Sequence, residues 1–208
     1  MLKEDIEIRE EYLDLGMQIV ARLQPACQKK CVVAVGGESG SGKTVTAKSV
    51  QLKLQENNIS SYVLHLDSYF KMPPKDNHTN RLQSLENVGP EEVNLNLLQQ
   101  HVDAFKQRDL ELTIPVVDYL ANRFESLTIN IADVEVLIIE GVYSFMLQNI
   151  DFKVFMERTY KHTQEVRQMR SREVYDPYVE QILEIEHKII APLVADSDVV
   201  IDVNYAIR

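Results

Sequence analysis

The sequence predicts an α/β fold, a mostly parallel sheet of about five strands with helices on both faces. Three observations predict it. Short apolar, β-branched runs alternate with stretches of helical periodicity along most of the chain. A glycine-rich loop, Gly37-Glu38-Ser39-Gly40-Ser41-Gly42-Lys43-Thr44, stands between the first apolar run and a helical stretch. Two further apolar runs end in an acidic residue, Asp67 and Glu140.

In chain order, residues 3–24 carry an apolar stripe of Ile6, Leu13, Met17, Val20 and Leu23, and Pro25 marks the end of that helix. The stripe suits packing on the sheet; a contact with a second copy of the chain stays open, and with it a homo-oligomer. Cys31 to Val35 reads as a buried strand, and Lys43 to Gln55 as a helix with Val45, Val50, Leu52 and Leu54 inside. Asn57-Asn58 is a turn, and Ser61 to Leu66 a second strand that delivers Asp67 at its carboxyl end. Residues 71–90, with Pro73-Pro74 and Gly89-Pro90, read as a long functional loop. Pro90 to Gln107 follows as a helix. Ile114 to Tyr119 and Ser126 to Ile131 suggest a hairpin, and Val134 to Ile139 a central strand ending at Glu140. Phe152 to Met156 and Ser197 to Val203 read as the last strands, with helices at 160–174 and 178–190 between them.

The composition fits one soluble domain spanning residues 1–208, with 1–30 preceding the core. Apolar residues make up 45% and charged ones 26%, and no stretch is long and apolar enough to span a bilayer. The charged start, Met1-Leu2-Lys3-Glu4-Asp5, does not suit a signal peptide, so the expected location is the cytoplasm, with no membrane partner. A net charge of −10 argues against nucleic acid as partner but not against a local anion site. Cys27 and Cys31 lack the companions a metal site needs and read as reduced structural thiols. No further regulatory domain is expected after the last strand.

The glycine loop matches G-x-x-x-x-G-K-[ST] in full, and strand–loop–helix is its confirming context. Its glycines let successive N–H groups face one anion, and the helix start adds partial positive charge. Gly37 to Thr44 are therefore the candidate triphosphate site of a P-loop NTPase-type sheet. Lys43 would reach the β- and γ-phosphates and Thr44 would ligate Mg²⁺. Glu140 would complete the metal site, with Asp67 near the same ion. Asp67 could also orient an acceptor hydroxyl and take its proton. Arg167 and Arg170, three apart on one helical face, could close over the transferring group. Tyr69, next to Asp67, could line an acceptor pocket, or could simply be core. No Asn-Lys-x-Asp motif supports a GTPase switch, and no Leu-Ser-Gly-Gly signature supports a transporter ATPase.

With these residues in place, the chain resembles the uridine kinase and phosphoribulokinase-like family of P-loop kinases from about residue 31 to residue 203. The anchors are the glycine loop, Leu66-Asp67-Ser68-Tyr69-Phe70, Pro115-Val116-Val117-Asp118-Tyr119, Leu137-Ile138-Ile139-Glu140-Gly141, Arg167-Gln168-Met169-Arg170 and Glu180-Gln181-Ile182-Leu183. The resemblance implies a five-stranded parallel core, a lid helix and a small hairpin over the acceptor site. It implies ATP or GTP with Mg²⁺, and γ-phosphoryl transfer to a hydroxyl of a small-molecule acceptor. Asp67 then stands where the family has its general base, and Arg167 and Arg170 belong to the lid. Asp118, Tyr119 and Asn122 fall in the family's acceptor segment. That segment also departs from the family: Val117 and Asn122 replace a tyrosine and a histidine that meet the base, and Val88-Gly89 stand where an acidic sugar-binding residue is expected. Tyr175 and Pro177 stand where the lid has further arginines. A different class of reading, a nucleotide-binding regulatory protein with little transfer activity, rests on those departures; the retained Asp67 speaks against it.

Overall fold

A computed structural model describes residues 8–27, 30–163 and 177–208. Five parallel strands form the central sheet: β1 (Cys31–Gly37), β2 (Ser61–His65), β5 (Val136–Glu140), β6 (Phe152–Met156) and β7 (Val199–Ile201). Their order is β2-β5-β1-β6-β7. A separate antiparallel hairpin joins β3 (Glu111–Asp118) to β4 (Arg123–Asn130). Among the described residues the α-helices are α1 (Glu10–Ala26), α2 (Lys43–Glu56), α3 (Pro74–Gln83), α4 (Leu95–Lys106) and α5 (Pro177–Ile190).

Strand alternation sorts the core into two layers. Val33 and Val35 of β1 turn to one face and join Leu15, Ile19 and Leu23 of α1 and Val50 and Leu54 of α2. Val32 and Ala34 turn to the other and join Leu98, Val102 and Phe105 of α4, with Ile190 of α5. Both faces are covered, so β1 and β5 are apolar on every residue but their chemically active ends. β1 sits at the middle of the order with β5 beside it, so the loop after β1 and the carboxylate ending β5 share one sheet edge.

Residues 71–90 are not the loop their sequence suggests. Pro74–Gln83 form α3, because Pro74 stands at the first turn, where its missing N–H costs nothing. The helix has no apolar stripe to reveal it; its inward face is polar, with Asn77 buried and bonded to Glu92. The helix expected from Pro90 instead opens with a 3-10 turn at Pro90–Glu92, and α4 restarts at Leu95 under an Asn94 cap. Residues 164–176, and with them most of the expected lid helix, lie outside the described residues. Cys27 and Cys31, read from the sequence as reduced thiols, stand with their Cα atoms 5.3 Å apart, within bridging range. Among the described residues no helix is long and apolar enough to cross a membrane.

Candidate active site

The phosphate loop runs from the end of β1 to the first turn of α2. Gly42, at the helix cap, has φ 102°, and a Cβ there would press the Tyr205 ring at 3.0 Å. Gly37 has φ 140°, and a Cβ there would meet the Met156 carbonyl at 2.7 Å. No side chain caps α2, so its first N–H groups are left for a ligand. The Ser41 hydroxyl is buried in the loop without a hydrogen-bond partner among the described residues. The Lys43 ammonium is buried and donates to the Glu38 carbonyl at 2.7 Å, across its own loop. A backbone cradle, an orphaned hydroxyl and a buried ammonium together fit a polyphosphate.

Glu38 and Ser39 serve the loop differently. The Glu38 carboxylate is turned away into the protein, where it accepts from the Tyr160 backbone N–H at 2.6 Å and meets His187 Nδ1 of α5 at 2.6 Å. Only its backbone is left to face a phosphate. The Ser39 carbonyl accepts from the buried Thr163 hydroxyl at 3.1 Å, and Ser39 also borders the neighbouring cavity.

At the end of β5, Glu140 Oε1 accepts from the Thr44 hydroxyl at 3.3 Å and meets His65 Nδ1 at 2.7 Å. In-register pairing of β2 with β5 places His65 opposite Glu140. Burial works against the charge on Glu140, but the His65 bond, Lys43 and Thr44 hold its carboxyl below the usual range. Burial likewise opposes the charge on His65, and Glu140 raises it above an ordinary histidine. Thr44 and Glu140 therefore fit Mg²⁺ held by few protein ligands, with phosphate and water supplying the rest. Among the described residues no cluster of three or more His, Cys, Asp or Glu forms a metal cage by itself.

Asp67 lies on the 3-10 turn Leu66–Tyr69 that follows β2. Loss of surrounding water, followed by the Glu140 charge, pushes its carboxyl up; Lys43 and the Tyr119 hydroxyl oppose that. Solvent still reaches the carboxylate, so the desolvation is that of a crowded cleft floor and not of a sealed interior. The Tyr119 hydroxyl donates to Asp67 Oδ2 at 3.1 Å. The hairpin is tied to this turn, since the Val117 N–H donates to the Ser68 hydroxyl at 3.2 Å.

A cavity of about 180 Å³ opens beside Ser39 and Asp67. Asn77, His78 and Arg81 of α3 form one wall, and Ile182, Leu183 and Glu186 of α5 another. Arg81 is ion-paired twice, to Glu92 at 2.5 Å and to Glu186 at 2.9 Å, with all three side chains largely shielded from water. Deleting one partner of such a buried set costs about 3–5 kcal/mol.

Of the four acceptor-side candidates, only Tyr119 borders this cavity. Tyr69 is buried in the core with its hydroxyl on His101 Nδ1 at 2.8 Å; Phe70, one residue on, lines the cavity in its place. Asp118 caps the hairpin turn, accepting from the Leu120 and Ala121 N–H groups at 3.0 Å each. Asn122 pins the hairpin tip to α3 through Asp76 and the Lys75 N–H. Arg167 and Arg170 lie outside the described residues. Sequence reasoning missed His65, Arg81, Glu92 and Glu186. Strand register could have offered His65; nothing in the periodicity pointed to the other three.

Residues 32–203 match the Phosphoribulokinase / Uridine kinase family model. The chain belongs to that family. It is 29% identical over 130 residues to a uridine kinase of Ureaplasma urealyticum, an alignment that spans 61% of each protein. A structure described as a possible uridine kinase from Bacillus stearothermophilus has TM-score 0.66 at 19% identity, covering 90% of this chain and 98% of that one. Phosphoribulokinase from Rhodobacter spheroides has TM-score 0.60 at 14% identity, covering 83% of this chain and 69% of that one. These two likenesses show the fold: a five-stranded parallel sheet with helices around it.

Proposed function

We propose that this chain is a phosphotransferase that moves the γ-phosphoryl group of ATP or GTP to a hydroxyl of a small molecule, in the manner of a uridine kinase. The observation that carries the reading is Asp67. A carboxylate sits between a phosphate loop and a cavity and is held there by the Tyr119 hydroxyl. A protein that only binds nucleotide has no use for a base in that place.

Family membership supports ATP as donor and Mg²⁺ as its ion. The ion, when bound, neutralises charge on the phosphates. Backbone N–H groups of Gly37 to Thr44 hold the triphosphate, and Lys43 turns from the Glu38 carbonyl toward it. Thr44 and Glu140 hold the metal side, with Glu140 kept ionised and oriented by His65. Asp67 accepts a hydrogen bond from the acceptor hydroxyl, which aims its oxygen at the γ-phosphorus. The new P–O bond forms as the β–γ bridging bond breaks, the nucleoside diphosphate leaves, and the hydroxyl proton passes to Asp67. The charge of Asp67 makes this an electrostatic and positioning role as much as a proton transfer. Arg167 and Arg170 are proposed to neutralise the transferring group from the lid.

Nucleoside diphosphate release from Mg-ATP is the test, run against nucleosides, sugars and vitamin alcohols with Asp67→Asn beside the wild type. An acceptor-dependent signal that the variant loses supports transfer. Tight ATP binding with no turnover on any acceptor would favour the regulatory reading.

A further inference from the structure

We propose that Arg81 and Glu186 make the cavity select an uncharged, polyhydroxylated acceptor and reject one that carries a phosphate or carboxylate group. The inference rests on the phosphotransferase reading for its reaction, and it adds the class of acceptor.

The argument is one of charge and of hydrogen-bond direction. Among the described residues, the ionisable groups lining the cavity are Asp67, His78, Arg81, Tyr119 and Glu186. Arg81 is the group an anionic acceptor would need, and it is already committed. Its Nε and Nη2 donate to the two oxygens of Glu92 at 2.5 and 2.9 Å, and Nη2 also meets Glu186 at 2.9 Å. Glu92 is locked in that arrangement by the Asn77 amide at 3.0 Å and the Gly89 N–H at 2.9 Å. One guanidinium thus faces two carboxylates, and Asp67 adds a third on the cavity floor. A phosphate or carboxylate entering here would bring further negative charge to a wall whose cation is spent.

A hydroxyl meets different terms. The Arg81 Nη1 amine has no hydrogen-bond partner among the described residues, and the guanidinium lies over the Phe70 ring at 5.8 Å, itself part of the lining. Nη1 can donate to a hydroxyl oxygen, and carboxylate oxygens nearby can accept its proton. Only a group that both accepts and donates suits that pairing. Ile182 and Leu183 offer an apolar surface for the C–H side of a ring or carbon chain.

The test uses neutral and anionic partners of one skeleton: uridine against orotidine, glycerol against glycerate, ribulose against ribulose 5-phosphate. Mg-ATP turnover is measured with the full chain and with Glu186→Gln, whose folding is checked by its melting temperature. The neutral member of each active pair should win in kcat/KM by about tenfold or more, and Glu186→Gln should shrink that preference. Preference for the anionic member in the wild type overturns the inference and leaves the phosphotransferase reading intact. If no pair is turned over, the phosphotransferase reading is decided separately, by the wider acceptor panel. Thermal shift with the same compounds then decides the inference: stabilisation by neutral members alone supports it, and stabilisation by anionic members or by none overturns it. Should Glu186→Gln fail to fold, the wild-type pairs decide.

Discussion

The phosphate loop and the acceptor cavity meet at Ser39 and Asp67, yet they are assembled by different means. The loop is eight consecutive residues whose backbone is proposed to do the binding, and its shape follows from glycine dihedrals and the start of α2. The cavity draws side chains from three separated stretches, the turn after β2 together with α3, the hairpin, and α5. A backbone site tolerates few changes and leaves a motif. A side-chain site can exchange each contributor for one that arrives from another element. Tyr119 shows this: Val117, at the position where the resemblance expects a tyrosine, is buried, while the phenol two residues later reaches Asp67.

The sharpest break between the two regions should come from Lys43→Ala. Loss of the buried ammonium should lower turnover about a hundred- to a thousandfold on every acceptor, since the loop serves all of them alike. Near-normal rates in steady-state assays would end the assignment of the loop. Asp67→Asn should come next. It keeps the shape of the cleft and removes the base, so turnover should fall at least about a hundredfold while ATP affinity, measured by calorimetry, stays within a few-fold. Weakened ATP binding with unchanged turnover would move Asp67 from the acceptor side to the nucleotide side.

Tyr119→Phe probes the replacement contact itself. The hydroxyl donates to a carboxylate, so its loss should cost about tenfold in kcat with little change in the KM for ATP. The direction in pH separates positioning from mere packing. The Tyr119 hydroxyl opposes the upward push that burial and Glu140 exert on Asp67. Removing it should raise that carboxyl further and shift the acid limb of kcat/KM to higher pH. A uniform loss at all pH values would make Tyr119 a packing residue only.

Much of the fold was legible because its signals are local. β1, α2, β5 and β6 announce themselves by apolar runs, and Asp67 and Glu140 by their places at strand ends. α3 was hidden because its buried face is polar: Asn77 and Arg81 look like solvent-facing residues until Glu92 and Glu186 are brought to them. Tyr69 was ambiguous for a related reason. A short 3-10 turn sends adjacent residues in different directions, so Asp67 faces the cleft, Tyr69 the core and Phe70 the cavity. Neither periodicity nor composition carries that phase. The ion set around Arg81 depends on three segments converging, which no single stretch of sequence encodes.

The smallest expected effect belongs to His65, on the nucleotide side. Glu140 holds the proton on His65 more tightly in the folded chain than in the unfolded one, despite burial. Stability from that group is therefore complete below its ordinary value of 6.5 and is lost as pH rises through the raised folded value. Glu140 is depressed, so its share is complete above its ordinary 4.5 and is lost only as pH falls through the lower folded value. The pair should thus stabilise most between those two ordinary values. With the ring 39% exposed, the gain should stay under about 1 kcal/mol. Melting curves of wild type and His65→Gln in magnesium-free buffer should differ most in that window and converge as the solution turns alkaline. A gap that instead widened with pH would mean that His65 binds Glu140 as a neutral ring, and that Glu140 draws its low pKa from Lys43 and Thr44.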